Sequence, residues 1–184
     1  MNISNNIKEH LGPNSYDDKK ERIALRHFLY TNKDFQKFVV NYVGITGPID
    51  LIFDPLGERK VDAGIVQDGK LIGLIEVDYY TKWSPSESNP FGAWPYNYRW
   101  CHALVRKFKY WQNNNLPYIA CTFNMQHTKM LVSTNEMQEK YMHTKKIKPV
   151  ELGGETVMDW FLEIPLPVAK KFGDWTEEEL KRVS

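Results

Sequence analysis

Apolar positions in the first part of the chain recur at helical spacing and then switch to a period of two. Phe35, Phe38, Val39 and Tyr42 predict a helix from about Asn32. An earlier helix, running to about Tyr30, can be capped by Asn14 or Ser15, with Asp17, Asp18 and Glu21 near its positive end. Ile49–Phe53 is a short apolar run, closed by the turn Asp54-Pro55-Leu56-Gly57. Arg59–Val66 and Leu71–Tyr80 read as strands, and Gln67-Asp68-Gly69-Lys70 between them is a hairpin signal. Thr81–Tyr98 carries three prolines and no steady period, so it reads as a long loop of the kind that tends to be functional. A helix is expected from about Tyr98 to Asn113, burying Trp100, Leu104, Phe108 and Trp111. Two more strands follow, at Leu116–Phe123 and Lys129–Ser133. Beyond them lie a basic run (Lys140, Lys145, Lys146, Lys148), a Gly153-Gly154 turn and the apolar segment Val157–Ile164. Thr176 and Glu179 form a capping box for a last short helix. The order α-α-β-β-β-α-β-β predicts an α/β fold of the α+β type, with a mixed central sheet flanked by helices. Its core spans about residues 16–133, and a C-terminal appendage about 134–184, of a single domain over 1–184.

Composition narrows the class. With 184 residues, 42% apolar and 26% charged, the chain can bury about 70% of its unfolded surface and is not disordered. No apolar run is long enough to span a membrane. The polar N-terminal stretch lacks a signal-peptide core, and the two cysteines, Cys101 and Cys121, read as buried free thiols; a cytoplasmic protein is expected. The net charge of +1 hides an asymmetry: Ser88 to Asn135 contains no Asp or Glu but holds Arg99, Arg106, Lys107, Lys109 and Lys129. Such a segment suits a polyanion. On the expected helix, Arg99, His102, Arg106 and Lys109 fall at i, i+3, i+7 and i+10, a stripe that can hold phosphates or be a solvated face.

The strands carry the candidate chemistry. Alternation puts Lys60 and Asp62 on one face of their strand, and Glu76 and Asp78 on one face of the next, so the hairpin can gather all four. Glu76, at the end of the run LIGLIEV, is the oddest, because a charge there is costly unless paired or metal-bound. Three carboxylates with a lysine make a candidate Mg²⁺ or Mn²⁺ site. The plainer reading has Asp62 and Asp78 at solvated strand ends, one of them paired with Lys60.

Asp62 followed, on the next strand, by Glu76-Val77-Asp78 resembles the motif of the PD-(D/E)xK nuclease superfamily, with its restriction-endonuclease-like αβββαββ core. The resemblance implies a metal-dependent endonuclease acting on duplex or branched DNA, of phage, homing or junction-resolving type, and by analogy a homodimer. It makes Asp62 and Glu76, with Asp78, metal ligands, and Glu21 the acid contributed by the first helix. Arg99, His102, Arg106, Lys107 and Lys109 would contact DNA. The motif lysine is replaced by Asp78, which is either an acid-for-lysine variant of the motif or a sign that the cation comes from elsewhere, with Lys60, Lys82 and Lys107 as candidates; the pleat favours Lys60. The alternative is a catalytically inactive nucleic-acid-binding module. Trp83, Trp94, Tyr96 and Tyr98 either pin their loop to the core or stack on bases, and His127 is the outside candidate for a general base.

Overall fold

The computed structural model describes residues 16–57, 60–80, 83–86, 93–94, 99–152 and 155–184. Helix α1 (Tyr16–Thr31) and helix α2 (Lys33–Val43) lie on one face of a six-stranded sheet. The Asn32 side chain accepts from the Phe35 amide at 2.9 Å, and Gly44 closes α2 in the left-handed conformation. The proposed caps of α1, Asn14 and Ser15, lie outside the described residues.

Strands β1 (Asp50–Phe53), β2 (Ala63–Gln67) and β3 (Lys70–Tyr79) form an antiparallel meander. Asp68 and Gly69 both take positive φ, 51° and 74°, as the tight turn between right-twisted strands requires. The next strand, β4 (Trp100–Leu104), leaves this sheet. It is followed by a 3-10 turn (Val105–Lys107), α3 (Phe108–Asn114), β5 (Tyr118–Phe123) and β6 (Lys129–Thr134). β5 returns parallel to β3, and β6 is antiparallel to β5.

The expected helix over 98–113 is therefore corrected. Its first half is strand β4: Cys101 and Ala103 are buried and Trp100 is exposed, an alternation of period two. Trp100, Leu104, Phe108 and Trp111 satisfy a helical template as well, and only Phe108 and Trp111 bury on a helix. What decides is a partner that no local pattern shows. β4 pairs with β8 (Glu155–Pro165), His102 opposite Glu163, and β8 pairs with β7 (Lys146–Leu152), making a second sheet of order β4-β8-β7.

The segment after 134 is thus no appendage. It supplies α4 (Asn135–Lys140), most of the second sheet, and β9 (Lys170–Gly173), which extends the main sheet to the order β1-β2-β3-β5-β6-β9. Helix α5 (Glu177–Arg182) starts at the expected Thr176–Glu179 capping box and is tied to β6 by a buried Lys129–Glu179 pair at 2.5 Å. The layers are helices, main sheet, then small sheet with α3. Ile75 and Val77 of β3 face the helices, whereas Leu74 meets Trp111, Tyr118, Leu162 and Ile164 on the other side. Glu76 shares its face with Leu74, so the pleat carries a carboxylate into this second interface.

Candidate active site

The register Ala63↔Ile75 sets Asp62 beside Glu76 where β2 and β3 begin to part. Asp62 Oδ2 accepts from the Val77 amide at 2.8 Å, which anchors that carboxylate to the backbone of β3. Glu76 is buried, 8% exposed. Its Oε1 lies 2.5 Å from the ammonium of Lys107, and its Oε2 is buried with no hydrogen-bond partner. Burial first, and then the Asp62 charge, push the Glu76 carboxyl up to about 8 against the pull of Lys107. Asp78, two residues on, accepts from its neighbour's Tyr79 amide at 2.8 Å. Its carboxyl is pushed up to about 6, first by burial and then by Asp62. Dense protein surrounds that carboxyl although the residue as a whole is exposed; water reaches it, so its neutral form is held less firmly than that of Glu76.

The cation at the cluster is Lys107, not Lys60. Lys107 is 5% exposed, and its Nζ donates to the Lys60 carbonyl at 2.8 Å as well as meeting Glu76. Lys60 enters through its backbone, while its side chain is exposed over the Gly57 turn. The pleat argument fails because β2 starts only at Ala63; Lys60 sits in a turn, where period two does not hold. Lys82 lies outside the described residues. Position in the sequence does not single out Lys107, since Lys109 flanks the same buried Phe108 and is exposed.

The remaining candidates are dispersed. α1, which carries Glu21, packs on the face opposite Glu76, and its Arg22 meets Asp54 at 2.7 Å. The stripe is not a stripe. Arg99 precedes β4, His102 is on β4, Arg106 is in the 3-10 turn with Asp159 at 2.7 Å, and Lys109 is on α3 with its ammonium over Tyr110. The acid-free segment is neutralised from outside itself: Arg106 by Asp159, Lys107 by Glu76, Lys129 by Glu179. Trp83 is fully buried, edge-on to Trp94 at 5.0 Å and against Trp175 at 5.2 Å, so these loop aromatics pin rather than stack on bases. Tyr96 and Tyr98 lie outside the described residues. His127 stacks on Tyr79 at 4.7 Å, against the helix side of the sheet and away from Glu76.

A second polar cluster sits on the small sheet. Glu163, which interrupts the apolar run FLEIPL much as Glu76 interrupts its own, meets Lys146 at 2.6 Å and Lys148 at 2.9 Å. Lys148 also stands 2.7 Å from His102 Nε2. Burial, then the Lys148 charge, with Lys146 adding to them against Glu163, push the His102 imidazole down to about 4. The folded state therefore binds fewer protons than the unfolded chain between about pH 6.5 and 4. Stability from this group is complete above the ordinary histidine value and falls as pH drops through that window, by at most about 1.4 kcal/mol per unit. Urea midpoints measured from pH 7 to 4 should decline less steeply in His102→Asn than in the parent; parallel curves would show that His102 contributes nothing to the acid limb.

The donor set at Asp62 and Glu76 fits a hard divalent cation, since the orphaned Glu76 Oε2 is a buried carboxyl oxygen lacking a partner, and an ion there would favour its charged form. Among the described residues, no three His, Cys, Asp or Glu side chains are grouped so as to hold a metal ion as they stand. No described helix is long and apolar enough to cross a membrane. In comparisons with known families, curated proteins and solved structures, nothing matches this chain.

Proposed function

We propose that the chain is a metal-dependent endonuclease that hydrolyses phosphodiester bonds in DNA, duplex or branched, with the Asp62–Glu76–Lys107 cluster as its active site. The observation that carries this reading is Glu76. It is a carboxylate buried on a central strand, held on one oxygen by a lysine from another element, with the other oxygen unpartnered and Asp62 alongside. The sheet supports it: an antiparallel meander followed by a parallel return, β1-β2-β3-β5, with helices on one face, is the frame in which the PD-(D/E)xK arrangement operates. In this reading Asp78 stands where the motif has lysine, and the cation comes instead from residue 107, whose ammonium reaches Glu76.

Asp62 and Glu76 would hold Mg²⁺ or Mn²⁺, and such an ion, when bound, stabilises charge on the phosphoryl oxygens and acidifies a water. The protein's own part is positional. The Val77 amide holds Asp62 Oδ2, which fixes the carboxylate against β3. Lys107, clamped by the Lys60 carbonyl, holds positive charge where a phosphate would gain negative charge, in a site that excludes bulk water. Plasmid DNA incubated with Mg²⁺ or Mn²⁺ should be nicked or linearised, and EDTA should stop it. A protein that retains DNA but never cuts it with either ion would instead be the binding module, for which the mutual neutralisation of Glu76 and Lys107 would be purely structural.

A further inference from the structure

The β7–β8 hairpin runs past the hydrophobic layer that supports the rest of the small sheet. β4 covers residues 161–165 of β8, and the earlier part of β8 pairs with β7 alone. The registers Ile147↔Trp160 and Pro149↔Met158 put these four residues on one face. Farther along β8, that face delivers Leu162 and Ile164 into the core. Beyond the core it stays uncovered: Ile147 is 48% exposed, Met158 58% and Trp160 43%. The Lys145 ammonium stands 4.5 Å from the centre of the Trp160 ring. Asp159, next to that tryptophan, binds Arg106, and Arg106 adjoins Lys107 of the carboxylate cluster. The apolar strip is thus joined to the proposed active site through one ion pair and two peptide steps, Trp160 to Asp159 and Arg106 to Lys107.

We infer that Trp160 is a stacking platform for an unpaired stretch of the nucleic-acid substrate. This rests on the nuclease reading and specifies which part of the substrate the enzyme grips. The Trp160 ring, half-exposed with the Lys145 ammonium on one face, offers a base the surface that the ammonium leaves open and the adjoining phosphate a counter-charge. Lys146 and Lys148 point to the opposite face and are taken by Glu163, so Lys145 is the cation that serves the platform. A second copy of the chain fits this face poorly. Among the described residues, three half-exposed side chains and a proline fall well short of the roughly 800 Å² per partner of a stable interface, and docking would strand the ammonium of Lys145. An intact duplex presents no free base faces along its length, so the platform selects single-stranded or splayed DNA.

The test uses the full chain in EDTA with labelled oligo-dT of about twelve nucleotides and a duplex of the same length. Oligo-dT should bind the parent more tightly than the duplex does and quench its tryptophan emission. Trp160→Leu should lose the quench and about tenfold in oligo-dT affinity, and Trp160→Phe should recover most of the affinity. Lys145→Ala should lower the slope of log affinity against log salt by about 0.7, the value for one phosphate on a single strand. The inference is overturned if Trp160→Leu binds oligo-dT as the parent does. It is also overturned if the parent sediments as a dimer that Trp160→Leu dissolves with no change in oligo-dT binding. Cleavage is read separately with Mg²⁺. A parent that shows the Trp160-dependent quench but never cuts DNA keeps the platform and loses the nuclease reading. A Trp160→Leu variant that cuts plasmid and binds oligo-dT like the parent does the reverse.

Discussion

Lys107→Met is expected to lower DNA cleavage at least about a hundredfold and to destabilise the fold in a pH-dependent way. The activity loss is the size found when a positioned charge at a phosphoryl group is removed from a water-excluded site. The stability loss follows from Glu76. Removing one partner of a buried pair ordinarily costs about 3–5 kcal/mol, because the other charge is left without compensation. Glu76 can escape part of that cost by taking up a proton, since burial and Asp62 already hold its carboxyl up near about 8, and Lys107 is what pulls it down. The sign is then determined. A carboxyl whose folded value is raised binds a proton in the folded state that the unfolded chain has released. Stability therefore declines as pH rises from the ordinary glutamate value through the folded one, and losing Lys107 extends the decline upward. Denaturant melts in EDTA should find Lys107→Met close to the parent near pH 5.5 and well below it near pH 8.5. Lys60→Ala serves as the contrast, because its ammonium is exposed and only its carbonyl, which the substitution keeps, touches Lys107. If Lys60→Ala loses turnover and Lys107→Met does not, the cation has been misassigned.

Glu76→Gln and Asp62→Asn should each abolish detectable cleavage, a loss of at least about a thousandfold if the ion is no longer held. Their stabilities should separate from their activities. Glutamine keeps the volume of Glu76 and leaves Lys107 an amide oxygen as acceptor, but the buried ammonium loses its counter-charge, so Glu76→Gln without metal should melt below the parent. Asp62→Asn should cost about 1–2 kcal/mol, because the bond from the Val77 amide loses its charged acceptor. The decisive readout is ion-dependent melting. A ligand at a hundred times its dissociation constant raises stability by about 2.7 kcal/mol when it binds only the folded state. Mg²⁺ or Mn²⁺ should therefore raise the melting temperature of the parent and leave that of Glu76→Gln unmoved. A parent insensitive to both ions, or a Glu76→Gln variant that cuts at the parent rate, would remove the metal from the proposal.

Much of the fold was legible because its signals are local. Periodicity located α2, β3, β5 and β6, turn chemistry located the Asp68-Gly69 hairpin, and the Thr176–Glu179 spacing located α5. Glu76 stood out by the same kind of reading, since a carboxylate in an apolar run must find a partner wherever the strand is buried. Glu163 carries the same signal in its own strand and gathers Lys146 and Lys148.

The identity of each partner was not local. Whether Trp100–Leu104 extends or coils depends on β8, which lies some sixty residues later, because both templates fit its apolar positions and only the pairing with β8 selects the extended one. The same pairing broke the row of basic residues that a helix would have aligned. Lys60 and Lys107 were both within reach of Glu76 on sequence grounds. Choosing between them required knowing that residues 60–62 form a turn and that the chain after β4 comes back over the sheet. By itself the sequence determined that Glu76 must be answered by a cation or an ion. Tertiary structure decided that Lys107 answers it, because long-range strand pairing, and not spacing along the chain, sets which charges share a low-dielectric site.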